Sequence, residues 1–280
     1  MTTLMAVLEQ HQGKLERFRR EGLKETPTRT IFVDPVLEAL GWDVRDPDEV
    51  QMEYPTVDGK SVDYALKING KPVLLVEAKP SNDTLSDVKD VTQTTGYAAN
   101  DGIVWCVLTN GVRWRVYRSI EKCPAPEKLM FEVSYDPADL KGLGLQQVAE
   151  QFRRFSREEM AKGTLDALGE QTFTDGKVRK ALQHLIADPP RVLLKLVRSA
   201  AGDMGLKPQA VKESLTRVFH GFVTSQPAPA HDTVAKRRVA ALKSWKTRKS
   251  KSSTGYLESM HTDGKPLEVL ELYRRLDQFC

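Results

Sequence analysis

The chain has 280 residues, 40% of them hydrophobic and 29% charged, which is enough for one large core or two ordinary ones. No uninterrupted apolar run approaches the roughly 18 residues of a membrane span, the N-terminus lacks a secretory pattern, and three scattered cysteines (Cys106, Cys123, Cys280) suit neither a disulfide framework nor a zinc knuckle, so a cytoplasmic protein with no membrane partner is expected. The net charge of +4 hides an asymmetry: residues 1–150 hold 18 Lys and Arg against 24 Asp and Glu, while residues 151–280 hold 24 against 14, so a polyanion is drawn to the second half.

In chain order, Leu4, Val7, Leu8, Leu15 and Phe18 predict a helix over Leu4–Arg20. A second helix is expected after Pro27, with Ile31, Val36, Leu37 and Leu40 as its stripe and Gly41 as its stop. Strands are expected at Val50–Tyr54, Val62–Ile68 and Val73–Glu77, the last two joined by Asn69-Gly70, a strong hairpin signal. Thr84–Tyr97 reads as a helix, and Gly102–Leu108, Val112–Tyr117 and Leu129–Tyr135 as strands. "WRVYRS" (Trp114–Ser119) is simply part of one of them. From about Ala138 the β signal stops, and Leu145–Phe155, Glu158–Leu168, Val178–Ile186, Arg191–Ala200 and Pro208–Phe222 read as helices. Residues 224–232, "TSQPAPAHD", form a linker; Lys236–Lys251 carries eight Lys and Arg and no acid; Leu267–Phe279 is a last amphipathic helix. The expected fold class is α/β, with helices flanking a mixed central sheet and a mainly helical C-terminal region.

The sharpest signal is "VDYALKINGKPVLLVEAKP", which sets Asp63, Glu77 and Lys79 into an otherwise apolar hairpin. Buried singly, each charge would cost several kcal/mol. Two carboxylates on neighbouring strands supply hard oxygen ligands for Mg²⁺ or Mn²⁺. Unscreened by a cation, they repel by roughly 4 kcal/mol at about 4 Å and an effective dielectric near 20. Lys79 would then orient or deprotonate an attacking water, or stabilise a pentacovalent phosphate. One difficulty is geometric. A strict two-residue loop at Asn69-Gly70 pairs residue 63 with residue 76, placing Asp63 and Glu77 on opposite faces. An odd loop or a β-bulge is therefore required, and bulges are enriched beside active sites.

"ETPTRTIFVDPVLEALGWDV", "VDYAL…GKPVLLVEAK" and "QTTGY", in that order over residues 20–120, resemble the N-terminal nuclease domain of type I restriction enzyme motor subunits, within the PD-(D/E)xK phosphodiesterases. The resemblance implies a restriction-endonuclease-like core, Asp63 and Glu77 as metal ligands, Lys79 as the active-site lysine and Glu25 as the acid of the first core helix. Glu38 is the alternative acid on that helix. Gln93 and Tyr97 match the Q-x-x-x-Y motif and, four apart on one helix, share a face from which they could contact phosphate or stack on a base. Val62 stands where the motif's proline would be.

The basic segment is a candidate nucleic-acid contact through Lys236, Arg237, Arg238, Lys243, Lys246, Arg248 and Lys249, with Trp245 for stacking. No G-x-x-x-x-G-K-[ST] occurs, so a motor or recognition subunit is expected as a separate partner; a homo-oligomer is left open. The expected organisation is a nuclease domain over residues 1–140, a helical region over 141–224, and linker, basic segment and final helix over 225–280. The expected function is Mg²⁺-dependent DNA cleavage in restriction or phage defence. The alternatives are a non-catalytic nucleic-acid-binding or scaffold protein of the same fold, and an effector nuclease released by a partner.

Overall fold

The structure, a computed structural model, describes residues 3–140 and 142–225. A six-stranded sheet forms its centre, with spatial order equal to chain order: β1 (Val50–Pro55), β2 (Ser61–Ile68), β3 (Lys71–Ala78), β4 (Trp105–Thr109), β5 (Arg113–Arg118) and β6 (Leu129–Ser134). All neighbours are antiparallel except β3 and β4, which are parallel and joined through α4 (Val88–Asn100). That crossover makes the sheet mixed, as expected of a restriction-endonuclease-like core.

Helices cover both faces. α1 (Leu4–Glu21), the π-helical turn (Arg29–Val33) that follows the short α2 (Glu25–Thr28), and α3 (Asp34–Ala39) share one apolar cluster with Leu66, Leu74, Val76, Trp105 and Trp114 of the sheet. α4 closes the other face through Val91, Tyr97 and Ala98 against Ala65, Leu75, Cys106 and Leu108. Central strands buried on both sides read as continuous apolar runs, hence "PVLLV".

Three expectations need correction. The expected helix from Thr84 starts only at Val88: Asp83 turns back to the Leu85 amide, Leu85 has φ +55°, and Asp87 caps the Lys89 amide. Short Asp side chains compete for backbone donors in this way and delay the helix. The helix expected after Pro27 begins at Glu25 and is interrupted by the π turn. The two helices expected at 158–168 and 178–186 become α6 (Arg157–Ala161) and α7 (Thr164–Ala187), a single 24-residue helix that runs through Gly169 and Gly176. Among the described residues, no helix is long and apolar enough to cross a membrane.

The core does not stop at residue 140. α5 (Leu145–Arg153) adds Val148 and Phe152, and Phe155, Met160, Leu165 and Phe173 follow. Gly169 explains why α7 tolerates a poor helix former: a Cβ there would lie 2.6 Å from the ring of buried Trp105. The Trp105 indole N–H also donates to Asp166 at 2.7 Å, one turn earlier. Gly169→Leu is therefore expected to destabilise the protein by about 1–3 kcal/mol in urea unfolding, through overpacking. An unchanged midpoint would mean that α7 does not press on Trp105. α8 (Arg191–Ala200) and α9 (Pro208–Ser225) complete the described chain.

Candidate active site

Asn69 and Gly70 both have positive φ, as a tight hairpin turn of this kind requires. At the turn Ile68 pairs with Lys71, but beyond a register shift between Leu66 and Lys67 the pairs become Leu66–Leu74 and Tyr64–Val76. This irregularity supplies the extra residue that the two acids demanded. Continued by one step, the register sets Asp63 opposite Glu77. The ladder ends there, and the Asp63 side chain takes over, its Oδ2 accepting the Ala78 amide at 2.7 Å. β3 stays joined to β4 on its other side, where the Lys79 amide donates to the Thr109 carbonyl at 2.7 Å. The end of β2 and β3 is thus held open, with Asp63 and Glu77 directed into it.

Glu25, in the first turn of α2, completes the group. One carboxylate oxygen each from Glu25, Asp63 and Glu77 lies within 4.8 Å of the others. Lys79 Nζ is 3.1 Å from Glu77 and 3.7 Å from Asp90. Asp63 and Glu77 are each only 8% exposed, and burial is the first reason their protons are held tightly. Glu77 is pushed up to about 7, by burial and then by Asp63, against the pull of Lys79. Glu25 is raised by burial and by Asp63. Burial alone would lower Lys79, but Glu77 and Asp90 raise it on balance. The site therefore has more negative charge than its cations offset. Three hard oxygen donors in that condition fit a divalent cation of the Mg²⁺ type. Glu38, the alternative acid, instead faces Arg45 at 3.5 Å on the surface.

Gln93 and Tyr97 do share a face of α4, but that face lines a neighbouring open cleft of about 420 Å³, with Asp58, Lys60, Lys89 and Asn100. None of the three acids lines it. The Tyr97 hydroxyl is buried without a hydrogen-bond partner among the described residues, and Lys60 Nζ stands 5.9 Å from its ring. Lys236, Arg237, Arg238, Lys243, Trp245, Lys246, Arg248 and Lys249 lie outside the described residues.

Sequence reasoning missed Arg29, Glu53 and Asp90. Arg29 Nη1 donates to Asp63 Oδ1 at 2.9 Å and to Glu53 at 2.5 Å. Its signal was available in "ETPTR", where Glu25 and Arg29 stand four apart on one helical face. Asp90 had none beyond its place at the start of α4.

Residues 49–124 match the model of the family described as the type I restriction enzyme R protein N terminus. The match contains Asp63, Glu77, Lys79, Gln93 and Tyr97, and begins after Glu25 and Arg29. Similar solved structures include a fragment described as an HsdR subunit of a type I restriction enzyme from Vibrio vulnificus YJ016 (25% identity, 39% of this chain and 25% of that one, TM-score 0.31). They also include the type IIG restriction endonuclease BpuSI (15% identity, 50% and 17% coverage, TM-score 0.37). A third is the DrdV–DNA complex (16% identity, 78% and 21% coverage, TM-score 0.35). The chain thus spans a quarter or less of the length of these proteins. No curated protein matches.

Proposed function

We propose that this chain, whose residues 49–124 match the type I restriction enzyme R protein N terminus, is a Mg²⁺- or Mn²⁺-dependent DNA endonuclease acting in restriction or phage defence. The observation that carries this reading is the convergence of Glu25, Asp63 and Glu77 within 4.8 Å, with Lys79 against Glu77. A binding module has no use for three mutually repelling acids, two of them buried and the third half-buried, whereas a phosphodiesterase does. A divalent ion held by these acids would supply charge stabilisation for the phosphoryl group and a water of lowered pKa.

The protein's own groups do the rest. Asp63 is pre-oriented on both oxygens, by the Ala78 amide and by Arg29, so it need not reorganise when charge develops nearby. Lys79, anchored by Glu77 and Asp90, keeps its proton and presents an ammonium that can orient the attacking water or donate to a non-bridging phosphate oxygen. Gln93, in the cleft along α4, contacts DNA flanking the scissile group while Tyr97 packs beneath it, and Lys236–Lys251 provides the salt-sensitive encounter with the duplex. A separate motor or recognition subunit is the expected partner.

Metal binding separates this from the scaffold alternative. Wild-type protein is expected to sequester Mn²⁺ from its free electron paramagnetic signal, and Glu25→Gln to weaken that binding by about tenfold or more. Wild-type protein that leaves the Mn²⁺ signal unchanged would favour the non-catalytic reading.

A further inference from the structure

Arg29 orients Asp63, but its contact with Glu53 has no part in the proposed chemistry. On its inner side the Arg29 guanidinium is fixed twice: to Asp63 at 2.9 Å, and through Nε to the Tyr64 hydroxyl at 3.3 Å. That hydroxyl in turn donates to Asp34 at 2.6 Å. The π turn makes the second anchor available. Residues five apart point away from one another on an uninterrupted α-helix, but the wider turn, closed by the Asp34 amide on the Arg29 carbonyl, brings Asp34 round to the hydroxyl that Arg29 uses. Arg29 therefore stays in place whatever lies on its outer side.

Glu53 occupies that outer side, and its backbone is unusual. Met52 pairs with Tyr64 and Tyr54 with Val62, a register that sets Glu53 opposite Asp63, and Glu53 has φ +48°. A non-glycine residue reaches that left-handed region only against steric resistance. Its side chain is 61% exposed, against 16% for Arg29, and among the described residues its other oxygen accepts from Ser61 alone, at 3.3 Å. The carboxylate is thus wet, weakly held apart from Arg29, and set directly beside the acid cluster.

We infer that Arg29 is a phosphate-binding residue, and that the Glu53 carboxylate is an internal stand-in that substrate phosphate displaces. This rests on the nuclease reading and adds to it an exchange on DNA binding. A guanidinium accepts a carboxylate or a phosphodiester through the same planar fork. The inner anchors keep that fork oriented during the exchange, and solvent is at hand to take Glu53. A phosphate in its place would lie next to Asp63, where the scissile group must sit. In the DNA-free protein Glu53 lowers the affinity of this position for anions.

A double-mutant cycle tests the exchange, using fluorescence anisotropy of a short labelled duplex in EDTA so that no cleavage intervenes. Glu53→Gln is expected to tighten binding by about three- to tenfold, and Arg29→Met to weaken it by about tenfold. In the Arg29→Met background the Glu53→Gln effect should fall within about twofold, because its mechanism has been removed. Asp58→Asn, which removes a nearby acid with no contact to Arg29, should give a smaller gain that Arg29→Met leaves intact. Circular dichroism checks folding; should Arg29→Met unfold, Arg29→Lys replaces it and should also shrink the Glu53→Gln gain. No gain from Glu53→Gln, or a gain undiminished without Arg29, overturns the inference, since either means bulk charge and not exchange. Wild-type protein that binds no duplex overturns the nucleic-acid reading itself, and the inference with it.

Discussion

In metal-free buffer Glu77→Gln is expected to stabilise the protein by up to about 3 kcal/mol near pH 8, and to change it little near pH 4.5. Burial and Asp63 raise Glu77 from 4.5 to about 7, so the fold favours the protonated form while the unfolded chain releases its proton at the ordinary value. Stability from this group is fully present below about pH 4.5 and is lost as pH rises through about 7. Glutamine imitates the protonated state at every pH and escapes that loss. His11 acts in the opposite sense: burial holds it down to about 4, so its contribution is lost as pH falls from 6.5 through that value. Wild type and variant must therefore be compared at each pH by chemical unfolding, not along one curve. Mg²⁺ should then raise the stability of wild type near pH 8 far more than that of Glu77→Gln, because it binds the ionised site of the folded state. Equal stabilities across the range would mean that Glu77 is well solvated and that the acids do not form a charged, cation-seeking group.

The second large effect separates ligand from catalyst. Asp63→Asn should lower DNA cleavage at least about 10³-fold and weaken Mn²⁺ binding as well, since the amide can still accept from Ala78 but has lost its charge. Lys79→Met should lower cleavage by a similar factor while leaving Mn²⁺ affinity within about threefold or tightening it, because a cation has been taken away from the acids. Isothermal titration with Mn²⁺ beside cleavage time courses makes the distinction. Parallel loss of both quantities in Lys79→Met would give the lysine a structural role, holding Glu77 in place, and remove it from the chemistry.

Much of the site was legible because chemistry and geometry constrained each other. Asp63 and Glu77 had to share a face, a strict two-residue turn at Asn69-Gly70 forbade it, and an odd loop or a bulge had to intervene; the turn keeps its pairing and the register shift lies between Leu66 and Lys67. The six strands were legible because their apolar runs are bounded by Gly, Asn and Pro. Helix ends were less so. Thr84–Asp87 looks helical until Asp83 and Asp87 take the Leu85 and Lys89 amides, and Gly169 looks like a breaker when its missing Cβ is what lets α7 lie against Trp105. Arg29 and Glu53 show a different limit. They meet across 24 residues, through a π turn and a glutamate with positive φ, and neither feature leaves a periodic or compositional trace. Glu25 was reached through the resemblance, since a lone acid before a helix has many ordinary uses.

The measurement that bears most directly on the central claim is nicking and linearisation of supercoiled plasmid by purified wild-type protein with Mg²⁺, with Mn²⁺ and with EDTA. Cleavage is expected with either metal, none in EDTA, and none with Lys79→Met prepared in parallel. Cleavage that persists in EDTA, or that Lys79→Met performs at the wild-type rate, would contradict that claim.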